Sequence, residues 1–241
     1  MIRRTRSALA LGLALALGTA GMALGDGAGD STAFVDGKVS PSKLDKKKLK
    51  PVKLFVEVST DVTVTGSQEN PEKEFIEFGK NIAFDSKAAE FCTAQIAGTT
   101  TEQAKSLCPE DSVIGSGDAA VKLNQTTTVS DEIVTVFNGP GKNQLRLHAY
   151  SPTLQASNTQ VIEGSLRKAK TKGFGTALAV DDAPDAGGDA FAIVKFNATI
   201  DKSSGVAKAR CKAKKFQFKR TVTYDDGSSE SVAKTQKCKR K

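Results

Sequence analysis

The chain has 241 residues, 39% hydrophobic and 26% charged, which excludes disordered, collagenous and membrane-type composition and leaves enough apolar surface for a sizeable core. Its formal net charge is +8. Tryptophan is absent and histidine occurs once, which excludes chemistry built on paired histidines and sugar platforms built on tryptophan.

In chain order, the first 25 residues carry Arg3, Arg4 and Arg6, an uncharged Ala/Leu/Gly run over 8–17 and a small-residue patch ending at Gly25. This is the pattern of a signal peptide (1–25), with cleavage after Ala23 or after Gly25. The apolar run is shorter than the roughly 20 residues that span a bilayer, so export of a chain without a transmembrane segment is expected. Residues 26–50 are poor in large apolar side chains, include Lys46-Lys47-Lys48, and read as a basic arm or linker. From residue 51 onward, short runs with period-two alternation recur between Gly, Asn, Asp and Pro, which predicts β-strands. Leu54, Val56 and Val58 alternate with Lys53, Phe55 and Glu57. Thr100 and Gln103 have capping-box spacing and predict a short helix over 101–107. Strands are expected at 113–123, 133–137, 145–150, 161–166, 175–180, 190–200, 215–224 and 231–236, with Asn138-Gly139-Pro140-Gly141 turning the second into the third. The expected fold is all-β: a two-sheet antiparallel sandwich over 51–241 with one short helix, disulfide-stapled. Two smaller β domains divided near Pro152 are the alternative.

Cys92, Cys108, Cys211 and Cys238 all fall in the exported part, where disulfides form. Of the three connectivities four cysteines allow, pairing Cys92 with Cys108 and Cys211 with Cys238 keeps each bridge local, worth about 3 kcal/mol each in the chain-entropy model. If Asp226-Gly227 is a two-residue hairpin loop, Cys211 and Cys238 are not ladder partners. Their bridge then requires the chain to leave the strands near one of them, or a bulge. No C-x-x-C pair exists and the histidine has no zinc-like spacing, so no metal ligand is assigned.

Charge is segregated. Residues 38–53 hold seven lysines and one aspartate, and 202–241 hold thirteen Lys/Arg against three acids, whereas 54–201 hold twelve basic and twenty acidic residues. The basic ends point to a polyanion surface carried by Lys212, Lys214, Lys215, Lys219, Lys239, Arg240 and Lys241. Phe216, Phe218, Val222 and Tyr224 alternate with polar residues as in a half-buried strand, and Arg220 interrupts their apolar face. Along 145–150, Leu145, Leu147 and Ala149 share one face, and Arg146, His148 and Tyr150 share the other. His148 therefore reads as a solvent- or groove-facing histidine with no nucleophile or orienter to make it a general base.

Other patterns carry less. Gly115-Ser116-Gly117-Asp118-Ala119-Ala120 imitates a dinucleotide fingerprint but runs on into a strand-like stretch, so the glycines mark a bulge or tight strand entry and no cofactor is expected. Asp181, Asp182, Asp185 and Asp189 crowd one loop; a calcium site and a solvated acidic turn both fit. Asn124 and Asn197 head formal glycosylation acceptors.

Four stretches, taken together, resemble a family of secreted, four-cysteine β-rich proteins of uncharacterised function from high-GC Gram-positive bacteria. They are Pro41-Ser42-Lys43-Leu44 through Pro51-Val52; Cys108-Pro109-Glu110-Asp111-Ser112-Val113-Ile114-Gly115-Ser116-Gly117; Phe137-Asn138-Gly139; and Thr223-Tyr224-Asp225-Asp226-Gly227-Ser228 between Cys211 and Cys238. The resemblance runs from about Pro41 to Cys238 and implies an exported β protein with the local cysteine pairing. The function expected from the whole reading is a non-catalytic binding or envelope-associated module recognising anionic polymers, with no nucleic-acid partner. A secreted hydrolase using carboxylates from different strands and a self-associating structural protein are the alternatives.

Overall fold

A computed structural model describes residues 31–62, 71–123, 127–156, 159–181, 191–224 and 227–241. The signal-peptide reading, Asn124, most of the acidic loop from Asp182 to Asp189, and Asp226 lie outside these residues. The strands are β1 (Ser31–Ser40), β2 (Lys43–Leu44), β3 (Lys50–Pro51), β4 (Lys53–Val62), β5 (Pro71–Gly79), β6 (Ile82–Phe84), β7 (Val113–Leu123) and β8 (Thr127–Asn138). They continue as β9 (Gln144–Tyr150), β10 (Gln160–Lys168), β11 (Phe174–Val180), β12 (Phe191–Ile200), β13 (Ala207–Ala209), β14 (Lys215–Tyr224), β15 (Ser229–Lys237) and β16 (Lys239–Arg240). The helix α1 spans Thr101–Leu107, and Thr100 and Gln103 cap it reciprocally, as the spacing predicts.

Eleven strands form one antiparallel sheet in the order β1-β4-β12-β7-β8-β9-β10-β11-β5-β14-β15. The two ends of this order, β1 and β15, pack against each other, so the sheet rolls into a nearly closed barrel. The expected two-sheet sandwich is corrected on this point. Period-two alternation shows only that each strand buries one face, and a rolled sheet buries its inner face as well as two stacked sheets do. The segment 26–50, expected as an arm, contains β1, which pairs with β4 in unbroken register from Ser31↔Val62 to Ser40↔Lys53. The strand β5 was not expected either, because Glu72, Lys73, Glu74 and Glu77 obscure its alternation.

The seam between β1 and β15 is closed by side chains. Glu230 Oε2 accepts from the Ala33 N–H at 3.0 Å, and the Gln236 amide accepts from Val39 N–H at 2.7 Å and donates to Val39 O at 3.3 Å. Between them Gly37 lies on the Phe218 ring so closely that a Cβ there would overlap the ring. Leu54, Phe78, Val134, Val136, Phe216 and Phe218 are among the fully buried inner side chains. Arg220, which interrupts the apolar face of β14, does point into the barrel. Its guanidinium binds both Glu74 oxygens at 3.0 and 3.2 Å and donates to Ser59 O at 2.7 Å, so the charge is paired and hydrogen-bonded.

A second, smaller core lies outside the barrel, where Cys92, Ile96, Ala104 and Cys108 pack on Phe137. The Cys92–Cys108 bridge, with Cα atoms 5.0 Å apart, brackets α1 and holds this layer together. Asn138 Nδ2 donates to the carbonyls of Ser86, Ala89 and Glu90 at 2.9–3.0 Å and fixes the approach to it.

Gly37→Ala should displace Phe218 and loosen the seam, lowering stability by about 1–3 kcal/mol. Urea unfolding followed by near-UV circular dichroism reads this as a lower midpoint at unchanged slope.

Candidate functional site

The lysine-rich ends of the sequence meet at one end of the barrel, where β1 and β15 finish and β4 and β14 begin. Asp45 accepts the N–H groups of Lys47 and Lys48 at 2.6 and 2.7 Å, which turns the chain back, and its own carbonyl takes the Cys211 N–H at 2.8 Å. These backbone hydrogen bonds come first among the causes that hold its carboxyl below the usual range, with the Lys48 and Lys50 charges adding to them. The strands β2 and β16 pair in parallel, with Lys239 N–H on Ser42 O and Lys241 N–H on Leu44 O, both at 2.9 Å. Lys214, at φ 57°, bends the chain out of β14, so that Lys214 O takes the Cys238 N–H at 3.0 Å and Cys211 comes round to bridge Cys238 across 5.9 Å. The chain thus leaves the ladder near Cys211, and both disulfides have the local pairing. Arg240 Nη2 on Lys212 O (2.7 Å) and Arg210 Nη1 on Lys47 O (3.3 Å) tie the segments together further.

The resulting cap is strongly one-signed. Its segments 43–50, 208–215 and 237–241 contain fourteen Lys/Arg, and Asp45 is their single acid. Among the described residues only Lys208 of this set forms an ion pair, with Asp85 at 2.7 Å. Lys212, Lys214, Lys215, Lys239, Arg240 and Lys241 all lie exposed in the cap. Lys219 does not. It stands on the barrel wall, 3.7 Å from the buried Glu77 and 3.2 Å from Thr171 Oγ1. Burial pushes the Glu77 carboxyl up, but hydrogen bonds from Thr171 and the Lys219 ammonium outweigh it and hold the carboxyl down. The cap also holds Lys43, Lys46, Lys47, Lys48, Lys50, Lys208, Arg210 and Lys237, which the sequence reading did not single out as polyanion-binding. The charge runs over 38–53 and 202–241 were their signal, and what sequence lacked was the β2–β16 pairing that joins the two.

His148 is fully buried, which corrects its reading as a solvent- or groove-facing side chain. The layer held by Cys92–Cys108 covers the outer face of β9: Arg146 Nη1 donates to Ala94 O at 2.7 Å, and Arg146 Nε reaches Glu163 at 2.6 Å. His148 Nε2 faces Thr99 O at 3.2 Å and Thr99 Oγ1 at 3.1 Å. The first is a carbonyl, and the second gives its own proton to Ile96 O at 2.6 Å, so both accept and Nε2 carries the proton. Burial holds the imidazole below its usual pKa, only partly offset by the Thr99 hydrogen bond. This is a satisfied structural contact on one nitrogen, not an acid–base pair.

Among the described residues, Glu132 is the one inward carboxyl held away from its ordinary pKa. It is 3% exposed, receives no described hydrogen bond, and sits where the β7–β8 register shifts between Ala119 and Val121. Burial, followed by the neighbouring Asp131 charge, pushes it up to about 7. Asp131 points the other way and is held low, first by hydrogen bonds from Ser151 and Thr153. The two carboxylates therefore do not converge on one site. Gly115 and Gly117 sit mid-strand, pressed on the backbone of β12, and Asn197 is tied to Asp118 at 2.7 Å. Asp181 pairs with Arg167. Among the described residues no group of three His, Cys, Asp or Glu side chains is placed to hold a metal, and no helix is long and apolar enough to cross a membrane.

No family model and no curated protein sequence matches the chain. Among solved structures, a cohesin module from a Clostridium perfringens ATCC13124 family 33 glycoside hydrolase aligns over 88% of this chain and 98% of that module, with 10% identity and a TM-score of 0.25. A superposition that loose assigns no shared fold.

Between its ordinary value of 4.5 and about 7, Glu132 keeps a proton in the folded state that the unfolded chain has released. Its contribution is therefore fully present below pH 4.5, declines as pH rises, and is lost above about pH 7. Glu132→Gln should leave stability at about pH 4 unchanged and raise it at about pH 8 by roughly 1–3 kcal/mol. Urea titrations of parent and variant at the two pH values check the sign.

Proposed function

We propose that the protein is an exported, non-catalytic binding module that attaches to anionic envelope polymers through the lysine-rich cap. The observation that carries this reading is the joining of two basic regions, far apart in sequence, into one largely exposed surface whose segments hold fourteen cations and one acid of their own, with Lys208 alone ion-paired, to Asp85. Such a surface attracts a polyanion by releasing its condensed counterions and needs no fixed ligand geometry. The signal-like first 25 residues and the two disulfides support an oxidising, exported setting. The resemblance to secreted four-cysteine proteins agrees with that setting.

The oxidised protein should be retained on isolated Gram-positive envelopes at low salt and released steeply as salt rises. Replacing Lys212, Lys214, Lys239 and Arg240 together by glutamine should flatten that salt dependence, and Lys219→Gln should leave it nearly unchanged, since Lys219 is outside the cap. Absence of retention at low salt, or retention insensitive to salt, would sink the reading.

A further inference from the structure

The pairing of β15 leaves one of its edges free. Its ladder to β14 runs from Lys215↔Lys237 to Thr223↔Ser229, and just beyond the two ends Cys238 N–H bonds to Lys214 O and Tyr224 N–H to Ser228 O, both at 3.0 Å. In an antiparallel pair every second residue turns both backbone groups to its partner. Even-numbered residues of β15 therefore face β14, and the N–H and C=O groups of Ser229, Ser231, Ala233 and Thr235 point out of the sheet edge. β1 does not take them, because it meets β15 through the inward side chains of Glu230 and Gln236 and shares no ladder with it. All four outward residues are exposed, and their side chains are small and uncharged.

Edge strands are usually guarded by proline, a bulge, short length or an inward charge. β15 spans nine residues with neither proline nor bulge. Its inward cation, Lys234, is exposed and in no ion pair among the described residues. The inward charges are placed symmetrically about Val232, with Glu230 before it and Lys234 after it. A second copy laid antiparallel along the free edge, with the two Val232 residues opposite each other, sets each Glu230 opposite a Lys234. The outward backbone groups then meet, Ser231 with Ala233 and Ser229 with Thr235, in about eight interchain hydrogen bonds. Opposite charges so placed have Cβ atoms about 5 Å apart and stabilise the pairing. Centring the twofold axis on Glu230 or Lys234 would oppose like charges, and centring it on Ser231 or Ala233 would set both charges opposite uncharged residues. Glu230 Oε2 is held by the Ala33 N–H, which leaves Oε1 for the incoming ammonium.

Independently of the polymer-binding reading, we infer that the protein forms a twofold dimer in which the free edge of β15 pairs antiparallel with its own copy, Glu230 of each strand facing Lys234 of the other. The interface is isologous and uses up both β15 edges, so it closes at two copies. The two Lys237 positions then lie about 33 Å apart at opposite ends of the shared pair, and one dimer presents two basic caps.

Sedimentation velocity of the oxidised protein over about 1–100 µM tests this, since a dimer forms by mass action. Ala233→Pro removes an outward N–H that the β14 ladder does not use. Lys234→Glu sets a carboxylate opposite Glu230, and Phe34→Ser alters an exposed apolar residue of β1 as a control. The parent should become dimeric as concentration rises, and Ala233→Pro should stay monomeric with unchanged far-UV circular dichroism. Lys234→Glu should weaken the dimer at least about tenfold, and Phe34→Ser should leave it as it is. If Ala233→Pro fails to fold, Lys234→Glu, whose altered side chain is exposed in the monomer, decides alone. A parent monomeric over the whole range, or a dimer that survives Lys234→Glu, would overturn the pairing.

Discussion

A rolled sheet of eleven strands must settle its last edge, and here the hydrogen bonds between β1 and β15 come from side chains. Glu230 and Gln236 reach over to the backbone of β1, and Gly37 lets that strand lie flat on Phe218. This arrangement satisfies backbone donors without demanding a continuous ladder. It also brings the first described strand beside the last hairpin. Everything at the basic end follows from that contact: once β1 ends at Ser40 next to the end of β15 at Lys237, residues 42–45 and 238–241 are close enough to pair. The cap is thus a by-product of barrel closure, drawn tight by Cys211–Cys238.

The outer layer bracketed by Cys92 and Cys108 solves a different problem. Strands β8 and β9 carry apolar and polar groups on both faces, and their outer face would leave Phe137, Arg146 and His148 in water. The layer buries Phe137 and supplies carbonyl acceptors for Arg146 and His148. Arg220 shows the same economy inside the barrel: its charge is tolerated because Glu74 and Ser59 take up its donors.

Much of the strand content was legible because alternation survives wherever one face is apolar. The strand 113–123, the strand 215–224 and the helix 101–107 have the bounds the sequence pattern indicates. What could not be read depended on distant partners. β1 escaped notice because the residue its inner face needs midway is Gly37, which looks like a loop signal until Phe218 is seen against it. β5 was hidden by Glu74, whose charge makes sense only beside Arg220. His148 looked solvent-facing because periodicity reports one covered face and says nothing of a second layer. The candidate lysines were largely those of the cap, yet Lys219 shares β14 and its outer face with Lys215 and not the cap, because four residues of strand carry it along the barrel wall to Glu77.

The way the chain ends are fastened has a mechanical side. Tension applied along β16 would load its hydrogen bonds to β2 together rather than one at a time, because the two strands run side by side in parallel register. The Cys211–Cys238 link sits immediately before β16 and passes tension to the base of β14 by a covalent route that spares the β14–β15 hairpin. Force arriving at the cap is therefore shared between the two ends of the chain before it reaches the barrel.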